Sequence, residues 1–159
     1  DYHLYARLDI LAIKLFEAED DLSVRLLVDT SGSMAGAKLL MAQTLAAATG
    51  FVALLRRDLV TVHTAPTTKA VPRYSGRGAT GPLLNHLAGL EAHGETRLVA
   101  AASDLLARPG TPGVTVLFSD LLTPDWGPAL QRLPARGGDV VVVHILDPED
   151  LHPSVLGCR

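Results

Sequence analysis

Three short runs decide most of what this chain can fold into: "LSVRLLVD" at 22–29, "GVTVLFS" at 113–119 and "DVVVVHIL" at 139–146. Each is dense in apolar residues over strand length. That is the pattern of strands covered on both faces, inside a parallel sheet flanked by helices. The first ends on Asp29, and Asp120 stands just beyond the second.

Between these runs the periodicity changes. Residues 38–57 predict a helix whose apolar face carries Met41, Leu45, Ala48, Val52 and Leu55, with Gly50 a modest weakness in its interior. "LVTVHT" at 59–64 and "KAVPRY" at 69–74 read as strands around the turn "APTT", and Pro72 pushes the second toward a sheet edge. Further helices are expected near 81–91, from about Arg97 to Ala107 with Thr96 as its N-cap, and near 127–133. Ahead of them "DILAIKLFE" at 9–17 alternates as a first strand, and "DPEDLHP" begins a polar tail.

Strands alternating with helices imply right-handed crossovers and a doubly wound, mostly parallel open α/β sheet flanked by helices. Aromatics are only 4% of the residues, so the core must be Ala, Val and Leu, which suits the same class. The length favours one domain over 1–159, divided into a lead-in strand (1–21), a core (22–147) and a tail (148–159). The opening "DYHLYARLDI" lacks Met, and the chain is expected to be a fragment of a longer protein.

Charge narrows the partners. With 14 basic and 17 acidic residues spread along the chain, no basic stripe points to nucleic acid or an anionic membrane. No apolar run reaches the ~18–20 residues that span a bilayer. The one cysteine, Cys158, excludes a disulfide framework or a thiolate metal cluster within one chain, and fits a reducing, cytoplasmic setting.

In open α/β sheets, ligands bind outside the carboxyl ends of the strands. Three loops expected there carry oxygen donors: Asp29, Ser31 and Ser33 on the first, Thr96 on the second, Asp120 on the third. Two carboxylates and three hydroxyls, with no soft donor, suit a hard cation, Mg²⁺ first and Mn²⁺ or Ca²⁺ as alternatives. Five side chains with two negative charges leave the ion wanting an anionic donor, which a partner's Asp or Glu would supply. Competing readings are a capped turn at "DTSGSM", Thr80 in place of Thr96, and Ser119 in place of Asp120.

Enzyme motifs fail on residues their chemistry needs. "GSMAG" is not G-x-S-x-G, "GSMAGAKL" lacks the phosphate-loop spacing, and "DTS" lacks a second aspartate two residues on. His86 and His93 fall on or beside a surface helix, and His144 reads as a core histidine in an apolar strand. Tyr74 and Trp126 are placed on loops, where either could rim a partner surface. The expectation is a binding module and not an enzyme, with a metal-dependent hydrolase or a metal-free scaffold as alternatives.

"DTSGS", a threonine on a second loop and an aspartate on a third resemble the metal-ion-dependent adhesion site of von Willebrand factor A domains. The resemblance implies Ser31, Ser33 and Thr96 as direct ligands, and Asp29 and Asp120 as direct or water-mediated ones. "LAIKLFE" after Ala6 and Arg7, and "VVVVHILDPED" near the end, resemble the bacterial family of domain of unknown function fifty-eight. That resemblance further implies partnership with a MoxR-type AAA+ ATPase, and a segment upstream of this chain.

Overall fold

The computed structural model describes residues 22–67 and 71–151. The expected first strand at 9–17, the end of the tail and Cys158 lie outside them. Among the described residues five strands form one sheet: β1 (Ser23–Asp29), β2 (Leu59–Ala65), β3 (Arg73–Tyr74), β4 (Gly113–Ser119) and β5 (Asp139–His144). Their order is β3-β2-β1-β4-β5. β1 pairs in parallel with both β2 and β4, β4 in parallel with β5, and only β3 runs antiparallel. This is the doubly wound, mostly parallel α/β architecture expected, with Pro72 next to the edge strand as its missing N–H requires.

Among the described residues four helices lie between strands, α1 (Ala37–Leu55), α2 (Thr80–Ala88), α3 (Leu98–Ala107) and α4 (Trp126–Arg132), and the single turn α5 (Pro148–Leu151) follows β5. Side chains of β1 alternate between two cores. Val24, Leu26 and Val28 pack with Leu39, Ala42, Ala46 and Leu54 of α1 and Leu83 and Leu87 of α2. Leu27, with Leu117 of β4, packs on the opposite face against Leu98, Ala101, Ala102 and Leu105 of α3 and Ala129 of α4.

The buried face of α1 is not the expected one. Lys38, Leu39, Ala42, Ala46, Gly50, Ala53 and Leu54 turn inward, whereas Met41, Leu45, Val52 and Leu55 are exposed, Val52 at 56%. α1 is apolar almost all round, so hydrophobicity alone does not choose its inner face; the small residues do, because they let the helix lie close to the sheet. Gly50 is one of them: a Cβ there would stand 2.7 Å from Leu83 Cδ2 and 3.2 Å from Leu26 Cδ1. Among the described residues α1 is also the one helix long and apolar enough to cross a membrane, and its small-residue stripe is taken up by the sheet.

β5 also departs from expectation. It forms, but as the far strand of the sheet among the described residues, with Val141 and Val142 exposed instead of buried. His144 is exposed as well, its Nε2 bonded 3.0 Å from the Asp120 carbonyl, so it is no core histidine. Tyr74 and Trp126 are not loop residues: Tyr74 lies on β3 with its hydroxyl 2.7 Å from His86 Nδ1, and Trp126 opens α4 half exposed.

Gly50→Val places branched methyls against Leu83 and Leu26, and the expected cost is about 1–3 kcal/mol of overpacking. The check is the midpoint of urea unfolding, and a midpoint equal to the parent's contradicts this packing.

Candidate metal centre

β1 delivers Asp29 to the upper edge of the sheet, fully buried. Both carboxylate oxygens are engaged: Oδ1 accepts the Ser31 N–H at 3.0 Å and Oδ2 accepts the Ser119 hydroxyl at 2.6 Å. Burial pushes the Asp29 carboxyl above its ordinary range, against the pull of the Ser119 and Ser31 bonds. The Asp29–Ser31 bond is an Asx turn, and it carries the chain into a one-turn 3₁₀ helix, Gly32–Met34. That turn sets Ser31 Oγ and Ser33 Oγ 3.1 Å apart.

The second loop is stitched to the first by backbone bonds. Gly32 N–H donates to the Gly94 carbonyl at 3.0 Å, and His93 N–H donates to the Thr30 carbonyl at 2.7 Å. Gly94 takes φ 70°, the left-handed region where a glycine is favoured. Thr96 follows but does not cap α3, which begins at Leu98 after Arg97. The capping role belongs to Asp125, whose Oδ2 accepts the Val99 N–H at 3.0 Å. Desolvation raises the Asp125 carboxyl, yet the bonds from Thr123, Val99 and Leu98 outweigh it and hold the group below its usual range.

On the third loop Asp120 is fully buried. Its Oδ1 accepts the Leu122 N–H at 3.1 Å, and its Oδ2 receives the ammonium of Lys38 at 2.9 Å. The same Nζ lies 2.9 Å from Asp150 Oδ2 on α5. Burial works against the Lys38 charge, but Asp120 and Asp150 prevail and raise its pKa. Leu121, between the two anchored residues, is held at φ 55°, a strained position for a leucine.

Ser31, Ser33 and Thr96 line one open cavity of about 540 Å³ together with Glu95 and Asp125. Asp29 and Asp120 stand outside that lining, buried, with their oxygens bonded. Ser119 serves Asp29 and does not replace Asp120, and the Thr80 hydroxyl donates to the Arg77 carbonyl away from the cavity. Lys38 and Asp125 were missed in the sequence. The signal for Lys38 was its place four residues before Ala42 on the small-residue stripe; nothing in "TPDWG" marked Asp125 as a cap for a helix that precedes it.

The donor chemistry fits a hard divalent cation. Adjacent oxygens of an octahedral shell at ~2.1 Å lie ~3.0 Å apart, and the serine hydroxyls are 3.1 Å apart. Among the described residues no three His, Cys, Asp or Glu side chains gather as a metal set.

The family model described as "Protein of unknown function DUF58" matches residues 1–157. No curated protein matches the chain. Among solved structures it is similar to one described as "von Willebrand factor type A from Catenulispora acidiphila", with a TM-score of 0.51 and 17% identity. The match covers 77% of this chain and 32% of that one, so the chain spans about a third of its length.

Lys38→Met leaves the buried Asp120 carboxylate without its cation, and the expected loss is about 3 kcal/mol. Adding Asp120→Asn removes the orphaned charge and recovers a large part of that loss. A double-mutant cycle by urea unfolding checks this, and strictly additive losses contradict the pairing.

Proposed function

This chain belongs to the DUF58 family and has a von Willebrand factor A-like fold; from that premise we propose that it is a divalent-cation-dependent protein-interaction module. Ser31, Ser33 and Thr96 would hold Mg²⁺, or Mn²⁺ or Ca²⁺ in its place. Asp29 and Asp120 would act from behind, their charge setting the field at the hydroxyls. One observation carries the reading: two serine hydroxyls at the spacing of adjacent metal ligands line the same cavity as the Thr96 loop, over two buried carboxylates.

Three neutral hydroxyls, with Glu95 the one exposed carboxylate in the lining, leave the ion short of anionic donors, and the open cavity gives a partner's Asp or Glu a way in. A MoxR-type AAA+ ATPase is the partner that the family resemblance suggests. A hydrolytic reading is weaker, because the three aspartates beside the cavity are committed elsewhere and the other lining carboxylate, Glu95, is exposed. Asp29 is bonded to Ser31 and Ser119, Asp120 to Leu122 and Lys38, and Asp125 to Thr123 and Val99. A general base needs an oxygen left over to take a proton from water.

A ligand that binds the folded state alone stabilises it by about 2.7 kcal/mol at a hundredfold excess over Kd. For a domain of this size that corresponds to a rise in Tm of roughly 5–10 °C. Mg²⁺ titrated into a thermal melt is expected to give this rise, and Ser33→Ala, at an exposed position, to abolish it. Capture of the ATPase is expected in Mg²⁺ and not in EDTA. An unshifted melt in all three cations, or an equal shift in Ser33→Ala, overturns the proposal.

A further inference from the structure

Helix α1 is apolar on its outer side as well as on the side that meets the sheet. Met41, Leu45, Ala48, Val52 and Leu55 follow one another at i, i+4, i+7, i+11 and i+14, and all five are exposed. Leu40 and Phe51 flank the row and are exposed too. Alternate steps of four and three are the heptad seam along which two helices pack knobs into holes. The outer face carries no charge, because Lys38 is the only charged residue of the helix and lies buried against Asp120 and Asp150. A helix on the outside of a sheet normally turns charged and polar residues outward, and one that is apolar all round is normally covered. Its small-residue stripe packed on the sheet and Lys38 held in two ion pairs keep α1 from leaving the domain for a bilayer.

Size and charge select the partner. The exposed parts of these side chains form an apolar strip on the order of 500 Å², within the range in which a surface patch marks an interaction site. A stable interface buries about 800 Å² per partner around an apolar core, and the strip is large enough to be that core. The threonines of the helix add no need for water, since the Thr44 and Thr49 hydroxyls donate to the Leu40 and Leu45 carbonyls, each at 2.8 Å. The two ends of the strip differ in charge. Arg56 and Arg57 stand exposed at the C-terminal end. At the N-terminal end stands α5, tied to Lys38 through Asp150, with Glu149 exposed. A copy of the same helix laid antiparallel brings each arginine pair toward the other's acidic turn and opposes the two helix dipoles, whereas a parallel copy sets like against like.

We propose that a second copy of this chain covers the outer face of α1, the two helices packing antiparallel about a twofold axis at Ala48. Ala48 then meets its own mate, where a small side chain lets the helices come close. Met41 meets the Leu55 of the second copy, and Leu45 meets its Phe51 and Val52. Every contact is made twice, which is the isologous arrangement of a closed dimer. The surface holds none of the residues of the serine cavity and does not depend on the cation reading.

The test is sedimentation equilibrium of the full chain in EDTA over a dilution series, where a dimer that dissociates on dilution is expected. Val52→Glu, at an exposed position, is expected to weaken the dimer at least tenfold with an unchanged circular dichroism spectrum. Val142→Glu, on the exposed edge of β5, is expected to leave it intact. Cross-linking decides the direction of packing, whatever the fate of Val52→Glu. In a Cys158→Ser background, Ala48→Cys is expected to oxidise to a covalent dimer, and Met41→Cys is not, because antiparallel packing carries Met41 away from its mate. A chain that stays monomeric at every concentration overturns the assignment, and if that monomer sediments with phosphatidylcholine vesicles the face belongs to lipid instead. A dimer lost in Val142→Glu but kept in Val52→Glu, or a cross-link through Met41→Cys as efficient as through Ala48→Cys, overturns it as well.

Discussion

The upper edge of this molecule depends on one buried carboxylate. Asp29 sits at the end of the central strand with no exposure, where an unpartnered charge costs several kcal/mol. Its two oxygens are answered from different elements, one by the backbone of its own turn and one by Ser119 at the end of β4. The same pair of bonds therefore ties the strand ends together and shapes the turn that sets Ser31 beside Ser33. Remove the carboxylate, and the serine pair loses both its anchor and the negative charge beneath it.

Where the sequence could be read, it was because a local rule had no competitor. Runs such as "LSVRLLVD" and "GVTVLFS" are too short for helices and too apolar for loops, and both became parallel strands within a residue of the expected limits. "DTSGS" was legible because an acid and two hydroxyls at the end of such a strand face the usual ligand edge of an α/β sheet. Thr96 followed from the same topology onto a loop that lines the cavity, although it does not make the helix cap expected of it.

What the sequence hid was set by tertiary context. On α1 the large apolar residues and the small ones each make a plausible stripe, and only closeness to the sheet selects Ala42, Ala46 and Gly50. Four valines in a row read as a core strand, yet β5 has β4 on one side and no described strand on the other, so burial did not follow from composition. Lys38 looked like the first residue of a helix. Its partners, Asp120 and Asp150, are 82 and 112 residues away, and no periodicity within a helix carries information of that range.

That long-range triad also gives the candidate metal centre its charge balance. The turn that carries the serine pair is bonded to Asp29 through the Ser31 N–H, whereas Asp120 already has Lys38 for a counter-ion. Asp150 shares that ammonium, and its own carboxyl is held below the usual range chiefly by the Lys38 bond. α5 is thereby fastened to the loop after β4, through a side chain of α1, with one ion pair fully inside the protein and one near its surface. Moving Asp120 toward a metal would weaken its hold on Lys38, and Asp150 would then bear more of that charge. Asp120 and Asp150 thus share a single ammonium, and a change at either carboxylate is felt at the other through Lys38.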